Sequence, residues 1–190
     1  MTDSQIEKLL ASTQKNILSK NIERVFAGGT KITGESMRAV REQALSMGID
    51  LKADLGLDND RLGRMFKIEV GDGIEKGDIN AEDGSEKIAD IVDSLSMTMD
   101  EGETELEKLV FKRAAEIMRD VTADVSRGND ERAMKDLYLY LRYVEFVGGV
   151  SVGVELGEGG REQIMDVFRA ATFGKPEAVS QCELLESSLA

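Results

Sequence analysis

The chain has 190 residues, of which 41% are hydrophobic and 32% charged, and a formal net charge of −13. That length and balance suit one or two compact domains with buried cores and argue against wholesale disorder. The acidity excludes a nucleic-acid binder and docking on anionic lipid, both of which need clustered cations. There is no histidine and one cysteine, Cys182, so the commonest general base, an internal disulfide and a cysteine metal cage are all absent. The residues from Met1 to Leu10 are polar, without the apolar core of a signal segment, and no apolar run approaches the roughly 20 residues of a membrane span. A cytoplasmic protein, not inserted in a membrane, is expected.

Residues 1–63 read as an N-terminal helical region. Ile6, Leu9, Leu10, Ile17, Leu18, Ile22, Val25 and Phe26 recur at spacings of three and four, which predicts a helix over 3–27. Asp3 or Ser4 can cap it, and Gly28-Gly29 can end it. Met37, Val40 and Ala44 predict a second helix over 35–47. Residues 64–103 read as an acidic, glycine-containing insertion. In it Phe66-Lys67-Ile68-Glu69-Val70 alternates apolar and polar, the pattern of a short strand, and Ile88, Ile91, Val92, Leu95 and Met99 suit a short helix.

Residues 104–190 read as a third, helical region. Leu106, Val110, Ile117, Val121 and Val125 predict a helix over 104–126, with Thr104 and Glu107 as a capping box. The next, over 130–147, holds all three tyrosines and is apolar almost all round, so it should be central. Residues 148–160 carry six glycines, and alternating Val150, Val152, Val154 and Leu156 suit an extended piece. Two more helices follow, over 161–173 and one whose first turn Pro176 suits. The last carries Val179, Cys182, Leu185 and Leu189 on one stripe, where Cys182 should be a buried, inert thiol.

The charge is local. Residues 69–107 hold two basic and fourteen acidic residues, a net of −12, and the rest of the chain nets −1. Such a stretch can steer a basic protein partner, with Glu101, Glu103 and Glu105 as candidate contacts. Asp78, Asn80 and Glu82 can be aligned to a calcium loop, but Asp83 then stands where the turn glycine belongs and Ala89 where the bidentate carboxylate belongs. The glycines of 157–160 lack both the third glycine of a dinucleotide fingerprint and a phosphate-binding lysine. No two carboxylates are placed together as an acid–base pair, so a metal-dependent, carboxylate-based hydrolase is the weakest reading. Lys135, Asp136 and Arg142 are either exposed charges on the one wet strip of an apolar helix or, with Tyr138, Tyr140 and Tyr143, anchors of a subunit contact or a ligand cleft.

The segment Lys135-Asp136-Leu137-Tyr138-Leu139-Tyr140-Leu141-Arg142-Tyr143-Val144 resembles the central helix of the phycobiliprotein family. Arg161-Glu162 and Gly174-Lys175-Pro176 are similar to that family's later helix and turn. The resemblance spans about residues 104–190. It implies a globin-like helical domain there; with the reading of residues 1–103 above, the expected fold is mostly α, that domain preceded by an N-terminal helical extension and a short strand-like acidic insertion. The family's bilin-bearing cysteine is replaced by Ala133, so the resemblance implies a relative without a covalent chromophore. Its function would be non-enzymatic assembly or regulation around a light-harvesting complex, the phycobilisome of photosynthesis, with homo- or hetero-oligomers. Asp136, Lys135 and Arg142 are the positions that would face a bilin held without a covalent bond. The alternative is a sensor that holds a bilin-like or other apolar molecule there; no other cofactor and no metal is expected.

Overall fold

A computed structural model describes residues 2–27, 32–149 and 152–189. The expected glycine stop at 28–29 and the alternation at Val150 lie outside the described residues. Among those described there are eight helices and no strand. They are α1 (Asp3–Ala27), α2 (Gly34–Ser46), α3 (Asn59–Lys76), α4 (Gly84–Ser94), α5 (Met99–Ser126), α6 (Asp130–Glu145), α7 (Gly160–Thr172) and α8 (Ala178–Ser188). The mostly helical expectation holds. The strand-like insertion does not.

The five residues Phe66–Val70 lie inside α3. Their alternation is too short to separate period 2 from period 3.6, and the longer set Leu62, Met65, Phe66, Val70 and Ile74 is buried along one helical face. Gly71 and Gly73 do not break the helix. A Cβ on Gly73 would stand 2.6 Å from the Ile79 Cδ1 atom, so this glycine lets Ile79 fold back on α3. Gly77, at φ +80°, closes the helix, and the Asp78 and Ile79 amides both donate to the Gly73 carbonyl, at 2.8 and 3.1 Å.

The start of α5 also differs from expectation. It begins at Met99, five residues before the expected start at Thr104, and the capping box is Thr98 with Glu101. The Thr98 amide donates to the Glu101 carboxylate at 2.8 Å, and the Glu101 amide donates to the Thr98 hydroxyl at 3.2 Å. The same sequence signature occurs at both places, and the earlier one sets the boundary. A similar box at Thr33 and Ser36 opens α2, and Asp58 caps α3.

The chain divides into two compact units: Met1–Ile79 with Ser85–Glu105, and Asn80–Gly84 with Leu106–Ala190. Most of the expected acidic insertion is therefore part of the first unit. There, α2 packs on α3 and on α1, and the core is built from Leu18, Met37, Ala44, Met65, Phe66 and Leu95. In the second unit α6, α7 and α8 pack against one another around Leu137, Tyr140, Tyr143, Phe168 and Leu185. The expected central place of the tyrosine helix holds for that face. Val152 is buried without regular structure, its amide donating weakly to the Ser188 carbonyl at 3.4 Å.

Candidate functional site: a charged cleft over Glu69

In the first unit, Arg38 and Arg41 are one turn apart on α2, which turns both toward α3. On α3, the helical period that buries Met65, Phe66 and Val70 also buries Glu69, which is 2% exposed. A carboxylate on an apolar helix face needs partners. The Glu69 Oε1 atom lies 3.0 Å from the Arg41 Nε and 3.9 Å from the Arg38 Nε. The Arg41 Nη1 also donates to the Ser94 hydroxyl at 3.3 Å. Among the described residues, the second carboxylate oxygen, Oε2, is buried and has no hydrogen-bond partner, and the Arg41 Nε–H is not aligned with any acceptor. Burial pushes the Glu69 carboxyl above its ordinary value, while Arg41 and Arg38 pull it back.

These groups line a cleft of about 570 Å³. The turn after α3 supplies Gly77, Asp78 and Ile79, and α4 supplies Lys87, Asp90 and Ile91. The Lys87 ammonium donates to the Asp78 carbonyl, and the Arg38 guanidinium lies 4.0 Å from the Asp78 carboxylate. Both ion-pair distances of Arg38 exceed hydrogen-bond length. The lining therefore holds three cations and three carboxylates, and the Arg38 guanidinium, 44% exposed, can still take a bidentate anion.

The residues expected from sequence lie elsewhere. Lys135 is exposed beside a cavity of about 770 Å³ lined with Gly128, Asn129 and Arg132, which neither Asp136 nor Arg142 lines. Asp136 is half-buried, Arg142 exposed, and Ala133 fully buried. Tyr140 and Tyr143 are core residues with no surface for a partner. Burial pushes the Tyr140 hydroxyl up to about 12, partly offset by its bond to the Ser188 carbonyl at 3.4 Å. Tyr138 is half-buried against Phe168, ring centroids 5.9 Å apart, and takes a hydrogen bond from Lys175 at 3.4 Å.

Among the acidic candidates, Glu101 pairs with Lys52 at 3.2 Å and Glu105 with Lys67 at 3.1 Å. Glu103 is exposed. Cys182 is half-buried, not buried as expected, because the expected stripe of α8 is incomplete: Val179 faces solvent. Asn80 is committed to the backbone, accepting from the Glu82 and Asp83 amides at 2.9 and 3.1 Å. No group of three or more carboxylate or cysteine side chains among the described residues is arranged to hold a metal ion, and no helix among them is long and apolar enough to cross a membrane.

No family model, curated protein or solved structure matches this chain. The similarity of residues 135–144 to the phycobiliprotein helix therefore gains no support from a wider match.

Proposed function

We propose that this protein is a non-enzymatic binding protein whose first unit takes a small zwitterion of the α-amino-acid class in the cleft over Glu69. The observation that carries the reading is the unpartnered Oε2 of a carboxylate that is 2% exposed. A buried acceptor left without a donor is costly, and a ligand ammonium supplies a charge-assisted bond to it. The ligand carboxylate goes to the Arg38 guanidinium. The Arg38 Nε lies 3.9 Å from the other oxygen of the same carboxylate, Oε1, so the acceptor and the guanidinium are close together, which favours a ligand whose two charges are also close. A lining of three cations and three carboxylates also favours a ligand with no net charge.

The test is a thermal-shift series with the common amino acids. A ligand that binds the folded state alone raises the melting temperature, with the logarithm of its concentration once that exceeds the dissociation constant. Stabilisation by one or a few amino acids is expected, absent with the matching carboxylic acid or amine alone, and lost in both Glu69→Gln and Arg38→Ala. No shift with any amino acid, or a shift that survives Arg38→Ala, overturns the reading.

A second reading, a role in protein association, is favoured by exposed apolar residues on α1 and not by the tyrosines of α6. The light-harvesting connection rests only on the resemblance of residues 135–144.

A further inference from the structure

α1 carries apolar residues on two separate faces, about a third of a turn apart. Leu18 and Ile22 are buried against the first unit, and Lys15 on the same side pairs with Asp54 at 2.6 Å. The other side faces solvent: Ile6 is 39% exposed, Leu9 59%, Leu10 57% and Ile17 49%. Every residue from Thr2 to Gln14 is exposed. An apolar stripe that lies beside the packed face and stays exposed is not used in the packing of the unit's described residues.

The stripe follows a heptad. Asp3, Leu10, Ile17 and Arg24 fall at the first seam position, and Ile6, Thr13 and Lys20 at the second. Leu9 widens the stripe at its edge. Thr13 is not an obstacle to burial, because its hydroxyl already donates to the Leu9 carbonyl at 2.8 Å. The apolar centre is bounded by an acid at one end and by bases at the other. That polarity decides the partner. A parallel pairing of two such helices would set Asp3 against Asp3 and Lys20 against Lys20. An antiparallel pairing, centred between Leu10 and Thr13, sets Ile6 against Ile17, Leu10 against Thr13, and Asp3 against Lys20. First and second seam positions then meet throughout, as an antiparallel coiled coil requires.

We infer that the N-terminal two thirds of α1 is a self-association surface that pairs with a second copy of this chain, antiparallel, in the register that joins Asp3 to Lys20. The pairing is isologous and closes on itself as a dimer. It uses a different surface from the Glu69 cleft and does not depend on it. Four apolar side chains per copy make a small interface, below about 1,200 Å², so association is weak and concentration-dependent.

Sedimentation equilibrium on the full chain, from about 1 µM to about 200 µM, reads it directly. The expected result is a monomer–dimer equilibrium for the unaltered chain and a monomer throughout for Leu10→Glu. Asp3→Lys and Lys20→Asp each weaken dimerisation by roughly tenfold, and the double variant Asp3→Lys with Lys20→Asp restores it. Asp3, Leu10 and Lys20 are exposed, so circular dichroism should show all variants folded. A chain that stays monomeric at the highest concentration overturns the inference. A dimer that persists in Leu10→Glu, or that the double charge exchange fails to restore, does the same.

Discussion

Arg41→Ala should expose the Glu69 carboxylate's dependence on its buried partner. Arg41 holds the Glu69 carboxylate at 3.0 Å, and its own side chain is only 16% exposed. Removing one partner of a buried ion pair typically costs about 3–5 kcal/mol, because the other charge stays buried. Here Glu69 has an escape: it can take up a proton. At pH 7, protonating an acid of ordinary value 4.5 costs about 3.4 kcal/mol, from 2.5 units at about 1.36 kcal/mol each. That sets a ceiling on the electrostatic loss, and Arg38 at 3.9 Å lowers it further. A loss of about 2–3 kcal/mol at pH 7 follows.

The sign of the pH dependence is fixed by the direction of the shift. Glu69 has a raised value in the fold, so the native state binds more protons than the unfolded one above about pH 4.5. Stability from this group is complete below that pH and is lost as pH rises through the folded value. Arg41→Ala raises the folded value further, so the loss extends toward neutral pH. The gap between the unaltered chain and Arg41→Ala should therefore shrink, by at most about 1.4 kcal/mol per unit, as pH falls from 7 toward 4.5. Urea unfolding at four pH values measures it. A gap that stays constant within about 0.5 kcal/mol shows that Glu69 is not a buried, proton-sensitive partner of Arg41, and the account of the cleft fails.

Two further outcomes follow from local geometry. Thr98→Ala removes the hydroxyl that accepts from the Glu101 amide and should cost about 1 kcal/mol in urea unfolding, whereas Thr104→Ala, inside the helix, should cost far less. Tyr140→Phe loses only a long 3.4 Å bond, so its cost at pH 7 should stay under about 1 kcal/mol. Because Tyr140 is pushed up to about 12, the unaltered chain loses stability as pH rises from about 10, and Tyr140→Phe should resist that alkaline loss.

The helices were legible where apolar spacing ran for three turns or more, as along α5 and α6. A pattern of five residues is ambiguous: Phe66–Val70 fits either period until Leu62 and Ile74 are counted with it. That ambiguity hides the cleft. Read as strand, Glu69 is one carboxylate among fourteen in an acidic stretch. Read as helix, it stands between Phe66 and Gly73 on the buried face, and a carboxylate there is a signal. The pairing with Arg41 was not legible, because it joins residues 28 positions apart through the packing of α2 on α3. On α1 the spacing was read correctly as helical, but two stripes on separate faces were merged into one, since period alone does not say which apolar residues a neighbour covers.

The acidity of 69–107 also changes meaning when its members are followed one by one. Glu69 is buried, Asp72 is tied to Lys76 at 2.7 Å, Asp78 lies beside Arg38, and Glu101 and Glu105 are tied to Lys52 and Lys67. These carboxylates are neutralised by cations of the same unit, several supplied from outside the acidic stretch. They cannot add at full strength to a field that reaches a distant partner. What remains for steering is a smaller set on exposed positions, among them Glu82, Glu86, Asp93, Asp100, Glu103 and Glu107. A charge segregated along the sequence is thus partly balanced in space, and the balance is closest around the cleft, where three cations and three carboxylates meet. A cleft so balanced selects a ligand by the arrangement of its charges and not by their sum. That is why a zwitterion fits the site better than a simple anion or cation.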